Sequence, residues 1–302
     1  MMKIGKYQVV QDPVYGYQRL DPLPDDKELT RFYESKYYDL IRKGGRAPEL
    51  RRLMAGGEEG ERERRWLHET LYTDILYVMN KFSPDKQVLD VGCGVGEFLS
   101  FMKDKGWNAV GIEPSQEAAA AAKNKGLDVR TVTLEEFART TAKKNFKTFG
   151  VVTLLNVLEH TPHPERVIEL AGKILAPGGV ICVRVPNDFT QIQLEAQKAL
   201  KKDPWWISPP DHINYFNFRS LQNTLEKLGF EIVYTQGDFP MELFLLQGDD
   251  YTGNSELGSQ CHWRRVHFET SISGELRRRM YQALALAGIG RDCLTFGSLK
   301  ES

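Results

Sequence analysis

Asp90, Gly92, Gly94 and Gly96 fall within one stretch, Val-Leu-Asp-Val-Gly-Cys-Gly-Val-Gly-Glu-Phe at 88–98. Glycines at alternate positions after a short apolar run make a loop whose backbone, Cys93 included, can approach a ligand closely. The spacing is GxGxG and not the GxGxxG of a dinucleotide site, so the expected guest is smaller than a pyrophosphate-linked cofactor. Glu113 lies 17 residues after Gly96, in Gly-Ile-Glu-Pro-Ser. An acid ending the second strand of a βαβ unit can accept hydrogen bonds from both hydroxyls of a ribose. Its plain alternative is a solvent-facing cap for the next helix, and the glycine loop upstream favours the ribose.

Imidazole is the usual group for taking a proton from an acceptor at neutral pH. Of the six histidines, His160, His163 and His212 fall near predicted strand ends. His160 follows the fourth strand and either reaches a substrate or hydrogen-bonds loop backbone. His163, in His-Pro, reads as surface. His212 sits in Trp205-Trp206-Ile-Ser-Pro-Pro-Asp211-His212-Ile-Asn-Tyr215-Phe216, where dense aromatic and proline residues suit a substrate wall carrying Trp206 and Tyr215. The alternative is a helix-entry loop packed under Phe216 and Phe218.

The elements that must position these residues alternate regularly. Strands are expected at 88–91, 108–112, 129–132, 151–155 and 180–185, with helices over 97–105, 115–125, 135–141 and 164–175 between them. A sixth strand is expected at 230–235 and a seventh at 293–299. Repeated βα units predict an α/β, Rossmann-like doubly wound seven-stranded sheet, mostly parallel with an antiparallel last strand, and a ligand at the carboxyl ends of the strands. Residues 71–302 form this domain, and 1–70 an N-terminal arm and helical lid. Within the arm, residues 1–30 are punctuated by Asp-Pro pairs and read as turns and extended chain. A helix over 27–43 carries Tyr33, Tyr37 and Tyr38, which either pack in a core or cover the cofactor. A further helix runs over 66–82.

The chain has 302 residues, 41% hydrophobic and 11% aromatic, enough for a substantial core. With 40 basic and 41 acidic residues the net charge is -1, which offers no general attraction to nucleic acid or to a membrane surface. Cys93, Cys182, Cys261 and Cys293 form no CxxC pair, so neither a disulfide framework nor a zinc site is expected, and a cytoplasmic location is the simplest reading. No stretch approaches the length of apolar residues needed to span a bilayer.

The segments VLDVGCGVGEF, GIEPS, VVTLLNVLEHTPHP and ILAPGGVICVRVPN, in this order, resemble the motif set of class I S-adenosylmethionine-dependent methyltransferases. The branch resembled has LEH after the fourth strand and PN after the fifth, and the likeness covers about residues 70–236. It implies S-adenosylmethionine as cofactor and S-adenosylhomocysteine as product. By the same likeness, Asp90 and the Gly92–Gly96 backbone hold the methionyl amine and carboxylate, and Glu113 the ribose. Ile112, Pro114, Thr133 and Leu134 line the adenine cleft, and Asn156 lies near the sulfonium. One departure is Phe149-Gly150, where the family usually has an acidic residue after the aromatic one; strand entry is the expected consequence. DHINYFNFRSLQNTLEKLGFEIV resembles the segment of sugar and other small-molecule methyltransferases in which an acid-His pair faces the acceptor. That likeness makes His212 the base and Asp211 the group that orients it. Ser208-Pro209-Pro210 differs from the amino-methyltransferase signature of nucleic-acid enzymes, which follows the fourth strand and ends in an aromatic residue, so no nucleic-acid partner is expected.

The insertion at 237–291 mixes aromatics with Arg and His, including Tyr251 and Arg264, as polar acceptor sites do. Its alternative is a lid or homodimer element packing its own aromatics. Together these readings give methyl transfer to a small polar acceptor, first choice O-methylation of a sugar or glycan-precursor hydroxyl. N- or C-methylation in secondary metabolism and a non-catalytic cofactor-binding scaffold are the alternatives. No metal site is read; Asp188 beyond Asn187 is the one group placed to meet a divalent ion.

Overall fold

The chain opens with three short strands, β1 (Lys3–Ile4), β2 (Tyr7–Gln11) and β3 (Gln18–Asp21). Then come β4 (Gln87–Val91), β5 (Asn108–Ile112), β6 (Asp128–Arg130), β7 (Phe149–Leu155), β8 (Leu175–Pro186), β9 (Asn214–Tyr215), β10 (Phe230–Gln236) and β11 (Asp292–Leu299). This is a computed structural model that describes residues 3–32, 51–53, 56–142 and 149–300.

Seven strands form the main sheet in the order β10-β11-β8-β7-β4-β5-β6. β6, β5, β4, β7 and β8 pair in parallel, while β11 runs antiparallel to both β8 and β10. The central strands are buried on both faces, which is why they read as almost unbroken apolar runs. Side-chain alternation sends Leu89, Val152, Leu154, Ile181 and Val183 to one core and Val88, Val151, Val180 and Cys182 to the other. The first core is covered by helices Pro164–Ile174 and Phe218–Lys227, the second by Thr73–Phe82 and Glu97–Asp104. Gly150 explains the departure noted in the sequence. A Cβ there would lie 2.1 Å from Ser83 Oγ, so the close pass of the chain before β4 excludes any side chain at that position.

Three local expectations are corrected. The first is the irregular arm. β1, β2 and β3 form an antiparallel sheet that β9 completes, with Gln18 opposite Tyr215 and Arg19 opposite Asn214. Asp12 makes the connecting turn by accepting from the N–H groups of Val14 and Tyr15. These strands are too short to show a period in sequence, and their hydrophobic partners Trp206, Ile207 and Tyr215 are far along the chain. Second, the helix over 66–82 is two α-helices, Gly57–Leu67 and Thr73–Phe82, joined by one π-helical stretch, His68–Tyr72. Third, β8 starts at Leu175 and takes in Pro177-Gly178-Gly179, because Phe149 pairs with Leu175 ahead of the expected start. Helix Asp26–Phe32 begins where a helix was expected, but Tyr33, Tyr37 and Tyr38 lie outside the described residues, and with them the proposed cover over the cofactor.

The insertion folds as helices Glu242–Leu246, Ser255–Ser271 and Gly274–Leu286. Buried charges hold it to the helices before β4. Arg277 makes paired contacts with both oxygens of Asp74, and Glu269 accepts from Trp66 Nε1 at 2.6 Å and from the Tyr281 hydroxyl at 2.6 Å. Fully partnered networks of this kind fix one packing arrangement, whatever their net worth to stability.

Candidate active site

The glycine loop follows β4 directly. Gly92, Gly94 and Gly96 have φ of 68°, 53° and 79°, a region that glycine enters without cost. The three serve different ends. A Cβ on Gly96 would lie 2.5 Å from Leu127 Cδ1 and 3.1 Å from Ala122 Cβ, so Gly96 is required by packing against the helix after β5 and the turn that follows it, whereas nothing lies within 4 Å of a Cβ on Gly94. Gly94 therefore edges open space, where a ligand can rest against the backbone. Cys93 is half-buried and its thiol is pushed up by burial and by the Asp90 and Glu113 carboxylates, so it is unreactive as a nucleophile.

Glu113 ends β5 and is 9% exposed. Its Oε2 accepts from Gly94 N–H at 2.9 Å and its Oε1 from Ser115 N–H at 2.8 Å. The carboxylate thus straps the glycine loop to the next strand while each oxygen keeps a lone pair for a ligand. Burial raises its pKa, opposed by these two amides. Asp90 is more deeply placed, 3% exposed, and accepts from the Thr153 hydroxyl at 2.6 Å. Burial pushes its carboxyl up to about 7, against the Thr153 bond and with a push from Glu113. Pro114 is exposed and Leu134 buried. Thr133 caps the next helix: its hydroxyl accepts from Glu136 N–H, its N–H donates to Glu136 Oε2 and its carbonyl accepts from Phe137 N–H, which leaves the hydroxyl proton for a ligand.

Asn156 terminates β7 at φ 58°, a conformation that asparagine tolerates better than most residues. Its Oδ1 accepts from Arg184 Nη1 at 2.5 Å and its Nδ2 donates to Glu159 Oε1 at 3.0 Å. Arg184 also meets Asp292 at 2.6 Å. Sequence reasoning missed Arg184 and Asp292; the available signal was an arginine inside the otherwise apolar run of β8.

The loop carrying His212 is stitched across this end of the sheet. Ile213 N–H donates to Glu159 O at 2.7 Å, and the Asn214 side chain donates to Leu158 O at 2.9 Å and Thr161 O at 2.7 Å. Glu159, His160 and His212 thereby bring a carboxylate oxygen and two ring nitrogens within 4.8 Å of one another. The aspartate expected to orient His212 is paired with His160: Nδ1 of that ring lies 3.0 Å from Asp211 Oδ1 and 3.0 Å from Asp211 O. Burial disfavours a charge on His160, but the Asp211 bond and the Glu159 carboxylate outweigh it and hold the ring at about 9. His160 is thus held as an imidazolium against the loop, with its Nδ1 on Asp211, the arrangement that the backbone-fixing alternative of the sequence reading describes. An imidazolium does not ligate metals, so a divalent ion among these three atoms would first have to displace that proton.

The expected acceptor residues separate. Tyr215 is 1% exposed, and its hydroxyl donates to His212 O at 2.8 Å, so it latches the loop and cannot face an acceptor. Trp206 packs with Tyr7, Leu20 and Ile207 under the small sheet, because β9 draws it there. Arg264 is on the surface, paired with Asp249 and lying over the Phe244 ring. Tyr251 is half-buried close to Glu242 and Arg291, on the strand-end side.

Fold and loop together define an α/β protein with a glycine turn and a buried carboxylate side by side at the carboxyl ends of a parallel sheet, the place where such sheets bind their ligands. The profile of the family described as methyltransferase domain matches residues 61–235, more than half of the chain. The chain belongs to that family, and its cofactor is S-adenosylmethionine. The ubiquinone biosynthesis O-methyltransferase of Vibrio cholerae is 32% identical over 211 residues, covering 67% of this chain and 76% of that one. The enzyme of the same name from Hahella chejuensis is 32% identical over 157 residues, 48% of this chain and 64% of its own. For that from Actinobacillus pleuropneumoniae the identity is 37% over 154 residues, 45% and 66%. The chain thus spans just under two thirds of the length of these last two relatives. A solved structure, a SAM-dependent methyltransferase from Archaeoglobus fulgidus, shares the fold with a TM-score of 0.52 at 17% identity, covering 87% of this chain and 99% of that one. Among the described residues no helix is long and apolar enough to cross a membrane.

Proposed function

We propose that this methyltransferase acts on a hydroxyl of a small molecule, with His212 as general base. The observation that carries the reading is the stitching of the 207–216 loop onto Leu158–Thr161, which sets His212 beside Glu159 at the end of the strand that Asn156 terminates. When bound, S-adenosylmethionine supplies an electrophilic methyl group. The chain's part is to hold the two molecules in line, exclude water and remove one proton. Glu113 takes the ribose hydroxyls; Asp90 and the loop from Gly92 to Gly96 take the methionyl amine and carboxylate. Ile112, Pro114, Thr133 and Leu134 flank the adenine, and Asn156 borders the sulfonium. His160 already carries its proton, so the His212 ring nitrogen that converges with it receives the proton of the acceptor.

The relatives are named as O-methyltransferases, which favours a hydroxyl over a nitrogen or carbon acceptor. Their names place them in ubiquinone biosynthesis and lend a sugar no support, so the glycan-precursor hydroxyl stays one arm of the test. Purified protein is incubated with S-adenosylmethionine and a panel of catechols, monophenols, free sugars, nucleotide sugars and hydroxyl-free amines, and S-adenosylhomocysteine is measured. Turnover with a hydroxyl-bearing member is expected; turnover confined to amines lacking a hydroxyl would sink the reading.

The Asp90 role has its own pH signature. Between the unfolded value of 3.8 and the folded value of about 7, the folded state keeps a proton that the unfolded state has lost. Asp90's contribution to stability is therefore full below that window and lost as pH rises through it. Ligand binding runs the other way, because the methionyl ammonium prefers the ionised carboxylate. Calorimetry should show S-adenosylhomocysteine binding tightening by up to about tenfold between about pH 6 and pH 8, and Asp90→Asn should flatten that slope. A wild-type affinity that does not change across this range would remove Asp90 from the amine site.

A further inference from the structure

The acid expected beside His212, Asp211, belongs to His160. A second carboxylate converges on the same two rings. Glu159 is 1% exposed, and one of its oxygens lies within 4.8 Å of a ring nitrogen of His160 and of one of His212. Its Oε1 accepts from Asn156 Nδ2 at 3.0 Å and lies 3.9 Å from His160 Nε2, while its Oε2 meets no donor among the described residues. Glu159 is held from two sides. Arg184 fixes the Asn156 amide that donates to it, and Ile213 N–H, next to His212, donates to its carbonyl at 2.7 Å. The rings of His160 and His212 meet edge to face with centroids 5.0 Å apart.

A buried carboxylate oxygen without a donor is costly, so it points to a charge that arrives only during the reaction. Asp211 and Glu159 each bring a negative charge to this group and the His160 imidazolium a positive one. The group therefore holds one net negative charge while His212 is neutral, and none once that ring is protonated. Tyr215, the other ring against His212, is uncharged and donates its hydroxyl to His212 O. Further out, Arg184 offsets Asp292, and burial pushes the Asp188 carboxyl well up, towards its neutral form. Burial raises Glu159 as well, against the pull of the His160 imidazolium and the Asn156 amide. An opposite charge within about 4–6 Å favours the charged form of a ring, the more so where water is scarce.

We propose that Glu159 is a positioning residue for His212, its carboxylate standing where charge forms as that ring takes the acceptor's proton. This role rests on His212 as general base and adds the group that strengthens it. The acceptor's proton goes to His212 and its oxygen to the methyl carbon, and Glu159 itself exchanges no proton. The test follows the His212 imidazole signal by NMR across pH in the complex with S-adenosylhomocysteine, the signal being assigned by its loss in His212→Ala. In Glu159→Gln, which removes the charge with little change of shape, the midpoint should fall by about one pH unit or more, because the ring loses the anion that favours its charged form. Glu159→Asp keeps the charge and should stay nearer the parent. With catechol, glucose or UDP-glucose, whichever turns over fastest, Glu159→Gln should lower plateau kcat by about 3- to 30-fold and move the acid limb of the kcat profile to lower pH. The affinity for S-adenosylhomocysteine should stay within about threefold of the parent, which certifies the fold. In a His212→Ala background the same substitution should cost almost nothing further.

A His212 midpoint that does not move in Glu159→Gln overturns the proposal and leaves the base standing. Equal loss of kcat from Glu159→Gln in the parent and in His212→Ala overturns it too, since the carboxylate would then act independently of the ring. Activity of the parent that EDTA abolishes and Mg2+ restores would assign Glu159 to a metal ion, with the same result. A His212→Ala variant that keeps its kcat removes the base itself, and the role of Glu159 with it.

Discussion

His212→Ala should lower kcat by about 100- to 10,000-fold with a hydroxyl acceptor, the range that a positioned general base contributes. The affinity for S-adenosylhomocysteine should change little, because the ring sits at the acceptor end and the cofactor grip is built from β4 and β5. The substitution tests chemistry more than folding for a specific reason. Besides the packing of its ring on those of His160 and Tyr215, residue 212 holds the loop through its backbone: its N–H donates to Ser208 O and its carbonyl accepts from the Tyr215 hydroxyl. The loop is further held by Ile213 N–H and by both side-chain donors of Asn214. A variant that keeps its melting temperature and cofactor affinity but loses turnover identifies the base. If kcat falls less than about tenfold, positioning alone accounts for the reaction and no base is needed. Acceptors that are already ionised at the assay pH supply an internal control, since they should be nearly indifferent to the substitution.

Glu113→Ala is expected to weaken S-adenosylhomocysteine binding by about 100-fold or more. Two hydrogen bonds from ribose hydroxyls to a carboxylate contribute about 1.5–3 kcal/mol each, and alanine removes both along with the strap on the glycine loop. Stability should change much less. The carboxylate resists ionisation because it is buried, so its presence burdens the ligand-free fold, and the Gly94 N–H that it releases opens onto free space where water can serve it. Calorimetry and a thermal melt on the same sample separate the two effects. A Kd within about threefold of the parent in a folded protein would show that the ribose is held elsewhere. Glu113→Gln should lie between parent and alanine, since one oxygen acceptor and one loop amide contact survive.

The two variants probe halves of the site that were unequally legible in the sequence. The cofactor half could be read because its determinants are local. Asp90, the three glycines and Glu113 lie on two adjacent strands and the turns that leave them, and apolar runs of five to seven residues announce such strands directly. The parallel direction of the five central strands follows from the βα alternation, whereas the order that puts β11 between β10 and β8 came from the structure.

The acceptor half was decided only by the tertiary structure. Asp211 and His212 are neighbours in sequence, so the acid was assigned to the adjacent ring, yet it pairs with His160, 51 residues away. Hydrogen-bond partners are selected by distance in space, and the loop's path is set by Asn214 reaching back to Leu158 and Thr161. Trp206 and Tyr215 were expected in the substrate wall because they are aromatic and near His212. Pairing of β9 with β3 turned them under an N-terminal sheet that no periodicity announced. Sequence alone therefore determined the family, the sheet and the cofactor, since short-range pattern dictates strands and glycine turns. What sits opposite the methyl group was left to long-range packing, which brings charges together without leaving a spacing to read.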